Sequence, residues 1–189
     1  MPARDEAPLD DEPAIRAAYQ RYGVQGYYER FGADYRNPHE RAVGAALRAS
    51  SARWHFPLAR VLDLACGSGE VSLVAQQLGA GQIDAIDPYT YAAYAERTGR
   101  SAERLTFEQI AAGALSGRHY DTIVCSFALH LVALSRLPAL ALQLSQIAEH
   151  MLILTPHKRP ALKPAWGWSL ASELVIERVR ARHYLRAWR

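Results

Sequence analysis

Apolar residues change their spacing along this chain, and the change separates helical from extended segments. From Asp11 onward, Ile15, Ala18, Tyr19 and Tyr22 recur at helical intervals, with Pro13 in the first turn and Gly23 as the stop. A short aromatic stretch, Tyr27-Tyr28-Glu29-Arg30-Phe31, comes next. Asn37-Pro38-His39-Glu40 then has the makeup of a helix start: a capping side chain, proline at the first position and an acid at the third. Val43, Leu47 and Trp54 mark the buried face of the helix it opens, expected to run to about Ser51.

Beyond residue 60 short apolar runs replace the amphipathic pattern. Residues 60–65, 82–87, 120–126 and 151–154 read as strands, with 104–108 as a weaker one third in order. Helical stripes fall between them: Val71, Val74, Ala75 and Leu78 up to Gly79, residues 90–97 up to Gly99, and Leu137, Leu140, Leu144 and Ile147. Strand and helix alternating at this spacing predict parallel βαβ units with right-handed crossovers. Continuous apolar strands suit a sheet covered on both faces. The expected fold is therefore α/β, a doubly wound, Rossmann-like, mostly parallel sheet with helices on both faces. Residues 174–184 read as one last strand, although their alternation of Arg and apolar residues also suits an exposed helix. The chain after Thr155 is short for a long hairpin, so a compact sheet lacking its terminal strand is expected. The expected organisation is a disordered tail over 1–10, a helical lid over 11–57 and the Rossmann-like domain over 58–189.

Composition narrows the function classes. Half of the 189 residues are hydrophobic, enough for a proper core. No apolar run approaches the ~20 residues that span a bilayer, and the first residues are acidic and proline-rich, unlike a signal peptide. A soluble, cytoplasmic protein with no membrane partner is expected. Cys66 and Cys125 show no metal-type spacing and read as small buried thiols in a reducing compartment, with no metal site. The net charge is +3, much of its excess in Arg178, Arg180, Arg182, Arg186 and Arg189; a solvated face is the expectation, and contact with RNA or an anion the alternative.

The chemistry concentrates in Val61-Leu62-Asp63-Leu64-Ala65-Cys66-Gly67-Ser68-Gly69-Glu70, a strand that runs into two glycines and a helix start. Glycines allow a tight turn and a close ligand approach, and the helix start offers free N–H groups. The dinucleotide fingerprint wants a third glycine where this chain has Ser72. Asp87 closes the next strand, placed to accept both hydroxyls of a ribose over the same crevice. A carboxylate at the loop, Asp63, opposes a pyrophosphate and suits a nucleoside ligand carrying an ammonium and a carboxylate.

Val61 to Glu70 resembles the first motif of class I S-adenosylmethionine-dependent methyltransferases, D-x-G-x-G-x-G, with Ala65 in place of the first glycine. Asp87 is similar to the acid of their second motif, residues 121–131 resemble their fourth strand and the segment after it, and 151–155 the fifth. The likeness covers roughly residues 38–158 as an ordered series. It implies S-adenosylmethionine as cofactor, with S-adenosylhomocysteine as product, and methyl transfer by in-line displacement to a small-molecule acceptor. By that resemblance Asp63, Ala65, Gly67 and Gly69 hold the methionine end and Asp87 the ribose. Pro88 and Tyr89 flank the adenine, Gln109 and Ile110 meet its edge, and Ser126 completes the set. Two departures stand out: Gln109 occupies a position where the family often has an acid, and Glu149-His150 replaces the usual proline-glycine turn.

Transfer from a sulfonium needs alignment and exclusion of water, and a base only where the acceptor carries a proton of high pKa. His130, just after the fourth strand, is a candidate base or substrate hydrogen-bonding group, or a structural anchor of its loop. His157, Lys158 and Arg159, between two prolines beyond the fifth strand, form either a site for an anionic substrate or a solvated turn. Tyr27, Tyr28 and Tyr35, with Arg36 and His39, are expected to close over the cofactor and the substrate, with Tyr28 offering its π face to the methyl group; core packing is the competing account. A methyltransferase acting on RNA or protein is one alternative. It is disfavoured because Ser126-Phe127-Ala128-Leu129 stands where base-amine enzymes commonly carry Asn/Asp-Pro-Pro-aromatic. A non-catalytic module keeping the fold is a second, and a nicotinamide oxidoreductase, opposed by Asp63 and Ser72, a third.

Overall fold

The computed structural model describes residues 12–188. The disordered tail expected over 1–10 lies outside the described residues. Seven of the structural elements that matter here precede the third strand of the sheet: α1 (Glu12–Phe31), α2 (Glu40–Trp54), β1 (Arg60–Leu64), α3 (Glu70–Gln77), β2 (Gln82–Ile86), α4 (Tyr91–Thr98) and α5 (Phe107–Ala111). They are followed by β3 (Tyr120–Ser126), α6 (Leu137–Ile147), β4 (Ala148–Thr155), β5 (Trp168–Ile176) and β6 (Val179–Arg186). The six strands form one sheet in the order β2-β1-β3-β4-β6-β5. The first four are parallel, and β6 pairs antiparallel with both β4 and β5.

Side-chain alternation along the strands builds a core on each face. Leu62, Leu64, Ile123, Cys125, Met151 and Ile153 pack with Ile110 of α5 and Leu137, Leu140 and Leu144 of α6. Val61, Val124, Leu152 and Leu154 pack on the opposite side with Val43, Ala46 and Leu47 of α2 and Val71 and Val74 of α3. Both cysteines are buried and free. Among the described residues no helix is long and apolar enough to cross a membrane.

Four expectations need correction. The helix does not stop at Gly23: it kinks there (φ 70°, ψ 166°) and resumes through the aromatic stretch to Phe31. The helix after Asn37 runs on to Trp54, closed by His55 in the left-handed region. No strand forms over 104–108. Thr106 and Gln109 exchange side-chain and backbone hydrogen bonds in a capping box that winds this stretch into α5, and only Glu103 bridges to Ile86. The sheet also has its terminal strands, because residues 168–186 form a full hairpin turned at Glu177-Arg178, both at positive φ. The hairpin hides in the sequence because a buried residue on it is Arg182. Trp168 anchors it, fully buried with its indole N–H donated to the carbonyl of Ala141 at 2.8 Å.

Candidate functional site

From β1 the chain crosses to β2 on one side, and later β3 and β4 build the other. The carboxyl ends of β1 and β3 therefore flank a topological switch point, where open α/β sheets form their crevice. Both strands leave the sheet through a non-glycine residue in the left-handed region, Ala65 (φ 58°) and Phe127 (φ 53°). Such conformations are sparsely populated and gather at functional sites.

The glycine loop closes this crevice from below. The amide of Cys66 donates to Ile86 and that of Gly69 to Cys66, at 3.0 and 2.9 Å, which folds the loop against β2. Gly67 (φ 57°) lies so close to Glu70 that a Cβ at position 67 would stand 3.0 Å from Glu70 Oε2. Asp87 locks the other side. Its Oδ1 accepts from the amides of Tyr89 and Thr90 at 2.9 Å each, and its Oδ2 from Gly67 at 3.3 Å. The Thr90 hydroxyl completes the ring by donating to the carbonyl of Gly67 at 2.9 Å.

Above the loop lies a cavity of about 410 Å³, an ordinary size for a small-molecule site. Nine sequence-predicted residues line it: Ala65, Gly67, Asp87, Pro88, Tyr89, Ile110 and Ser126 from the sheet side, with Tyr28 and Tyr35 from the N-terminal segment. Leu105, Phe107, Leu131 and Val132 make its far end apolar. Tyr28 stacks on Tyr89 (centroids 6.1 Å apart, planes 18° apart) and meets Tyr35 edge-on at 5.5 Å. Gly32 makes this cover possible: a Cβ there would stand 2.5 Å from the carbonyl oxygen of Tyr89.

Other predicted residues sit behind the wall or beside it. Asp63 is fully buried, with Oδ2 accepting from the amide and the hydroxyl of Ser72 at 3.0 and 2.7 Å. Its Oδ1 has no partner. Burial above all, with Glu70 and Asp87 adding like charge, pushes the Asp63 carboxyl up to about 7. Gly69 faces Thr98 and Tyr94 rather than the cavity. Gln109 is committed to its capping box. Tyr27 is buried and supports Tyr28 edge-on at 5.2 Å. Arg36 donates to the carbonyl of Tyr35 at 2.9 Å and approaches Glu96, and His39 stacks on Phe127 at 5.0 Å.

His130 and His157 come together at the same edge, from the loops after β3 and β4, with ring centroids 4.5 Å apart. Neither is on the cavity wall. Burial, and then the neighbouring His157, push His130 down to about 4, so its imidazole is neutral at physiological pH. Its Nδ1 is buried without a partner. Lys158 and Arg159 are exposed. Their loop is held by the buried guanidinium of Arg182, which donates to the carbonyls of Lys158 and Pro160 at 2.5 and 2.6 Å and to Glu173 at 2.7 Å. Replacing Arg182 with alanine strands these buried acceptors, and a loss of about 2 kcal/mol in unfolding free energy is expected. A urea melt reads it directly; an unmoved midpoint means the loop is held by other contacts.

Sequence reasoning passed over Glu70 as a wall residue, although it directly follows the second glycine. It also passed over Asn37, Thr90 and Arg136, whose places on the wall follow from loop geometry alone. Among the described residues no group of three or more His, Cys, Asp or Glu is arranged to hold a metal.

Residues 29–189 match the family described as a methyltransferase domain. The chain belongs to that family. The methyltransferase-domain assignment agrees with the class I resemblance of the glycine loop and makes the protein an enzyme with S-adenosylmethionine as its cofactor. A Schizosaccharomyces pombe protein, itself uncharacterized, is 32% identical over 217 residues, covering 86% of this chain and 88% of the relative. Among solved structures, the Synechocystis magnesium protoporphyrin IX methyltransferase with bound S-adenosylmethionine is 19% identical, with TM-score 0.57 over 96% of this chain and 100% of its own. An rRNA methylase from Escherichia coli is 14% identical, with TM-score 0.58 over 92% of this methyltransferase-domain chain and 75% of its own.

Proposed function

We propose that the protein transfers the methyl group of S-adenosylmethionine to a small-molecule acceptor with anionic character. The observation that carries this reading is the cavity at the switch point, polar and acidic at the glycine loop and apolar toward α5 and α6. S-adenosylmethionine has matching ends, an amino acid with a sulfonium and an adenine joined through a ribose. When bound it supplies an activated methyl group, so the protein's task is alignment and exclusion of water. Asp87 accepts the ribose hydroxyls, Pro88, Tyr89 and Ile110 enclose the adenine, and Gly67 with Ala65 passes under the methionine end. Tyr28 and Tyr35 cover the site as the lid formed by residues 11–57, shedding water and facing the methyl group with their rings.

On the acceptor side, at the strand ends next to the cavity wall, His130 acts as a neutral hydrogen-bonding group for an acceptor that extends beyond the cavity, consistent with its depressed pKa. His157, Lys158 and Arg159 meet the anionic part of the acceptor. A small acceptor is favoured over RNA by the fate of the C-terminal arginines. Arg180 and Arg182 pair with Glu173, and Arg186 with Glu149, so they make no free basic stripe. Calorimetry with S-adenosylmethionine, S-adenosylhomocysteine and NAD tests the reading. Micromolar binding of the adenosyl ligands and none of NAD is expected. A folded protein that ignores both adenosyl ligands overturns the proposal in favour of a non-catalytic module.

A further inference from the structure

Two acids, Asp87 and Glu70, line the loop end of the cavity, and a third, Asp63, is buried behind it. Asp63 comes from β1, Asp87 follows β2 and Glu70 opens α3, while Glu40 of α2 pairs with Arg97 away from the wall. The guanidinium nearest Glu70 is that of Arg97 in α4, which lies behind the wall. Its close partner is Glu40, while Glu70 Oε1 lies 3.9 Å from it. The Cys66 thiol adds nothing to the balance, because burial raises its pKa far above any working pH.

The three inner acids are not equivalent. Asp63 has no surface in the cavity, and Ser72 occupies its Oδ2. Asp87 serves three loop amides with its two oxygens. Glu70 is on the wall with 2% of its surface exposed, and its Oε1 takes the Ser68 hydroxyl at 2.5 Å. Its Oε2 lies beside Gly67, which lines the cavity, 3.0 Å from where a Cβ on that residue would stand. A carboxylate oxygen held there in low dielectric favours a cationic donor strongly.

We infer that Glu70, through Oε2, receives the primary ammonium of the amino-acid end of the adenosyl ligand. This rests on the S-adenosylmethionine reading above and moves the ammonium contact from Asp63, where the motif resemblance puts it, to the residue after the loop. Burial raises the pKa of Glu70, with Ser68, its own backbone amide and Arg97 opposing, and an incoming ammonium relieves the burden of holding that charge. Gly67 sits at φ 57°, which favours glycine, and a Cβ there would press on both the Glu70 carboxylate and the Tyr35 ring.

The test pairs two ligands that differ at the amino-acid end. S-adenosylhomocysteine carries the ammonium, and 5′-methylthioadenosine keeps the nucleoside and sulfur but lacks it. Glu70→Gln preserves the shape and removes the charge. It is expected to weaken S-adenosylhomocysteine binding at least tenfold and leave 5′-methylthioadenosine within twofold of the unaltered protein. The nucleoside result doubles as proof that the variant is folded. Glu70→Asp, charged but one methylene short, is expected to fall between. Equal weakening of both ligands overturns the inference and makes Glu70 a support of the loop, and unchanged S-adenosylhomocysteine binding overturns it as well. If the unaltered protein binds neither ligand, the cofactor reading itself fails and takes this assignment with it.

Discussion

An Asp87→Ala variant is expected to bind S-adenosylhomocysteine about 100-fold more weakly than the unaltered protein. Two losses add here. Hydrogen bonds from ribose hydroxyls to a charged acceptor contribute roughly 1.5–3 kcal/mol. The amides of Gly67, Tyr89 and Thr90, all now served by this one carboxylate, are released at the same time. That frees both the glycine loop and the Tyr89 segment that meets Tyr28, so the ligand must reorder them on binding. A total of about 3 kcal/mol corresponds to the 100-fold loss. Asp87→Asn keeps one accepting oxygen and is expected to lose about tenfold. Calorimetry reads both, with circular dichroism as the check on folding. Affinity for the alanine variant within twofold of the original would falsify the ribose assignment.

Most of the sheet is visible in the hydrophobic pattern because its central strands are buried on both faces. The runs at 60–65, 120–126 and 151–154 have no polar interruption at a buried position except Asp63, Thr122 and Ser126. The ends of the sheet are harder to read, since edge strands obey local chemistry. Thr106 and Gln109 convert an expected strand into a helical turn through two side-chain hydrogen bonds. The hairpin at 168–186 carries Arg182 inward, and a buried arginine breaks the apolar alternation that would have announced it.

The site divides in the same way. Asp87 and Gly67 were legible because strand-loop-helix geometry places them by spacing alone. The separate fates of Asp63 and Glu70 were not. Asp63 shares its strand face with Val61, so the sheet turns it toward the α2 and α3 side, where Ser72 meets it. Which of two acids near a glycine loop reaches the cavity depends on the first turn of α3. Likewise the contact of His130 with His157 needs β3 and β4 to be neighbours, a fact of sheet order.

Asp63 is also the residue whose replacement is expected to change stability most. Its carboxyl rises from 3.8 to about 7 in the folded protein, chiefly through burial. Between these values the folded protein keeps a proton that the unfolded chain has released, so this group's effect is to lower stability as pH rises from 4 to 7. About three pH units separate the two states, and each is equivalent to about 1.4 kcal/mol, so the change is about 4 kcal/mol. His130 and His183 act in the opposite sense. Burial pushes both down to about 4, so the unfolded chain takes up protons first and stability falls as pH drops through 6.5. The raw pH profile therefore mixes rising and falling contributions, and the difference between the protein and its Asp63→Asn variant isolates the carboxyl. The amide keeps an oxygen for Ser72 and places its NH₂ where Oδ1 now has no partner, much as the protonated acid does. The two proteins should match near pH 4, and the variant should be about 4 kcal/mol more stable at pH 8. Urea unfolding across that range measures it. A difference curve that stays flat would show Asp63 ionised throughout, with its charge carried by Ser72 and the loop rather than removed by a proton.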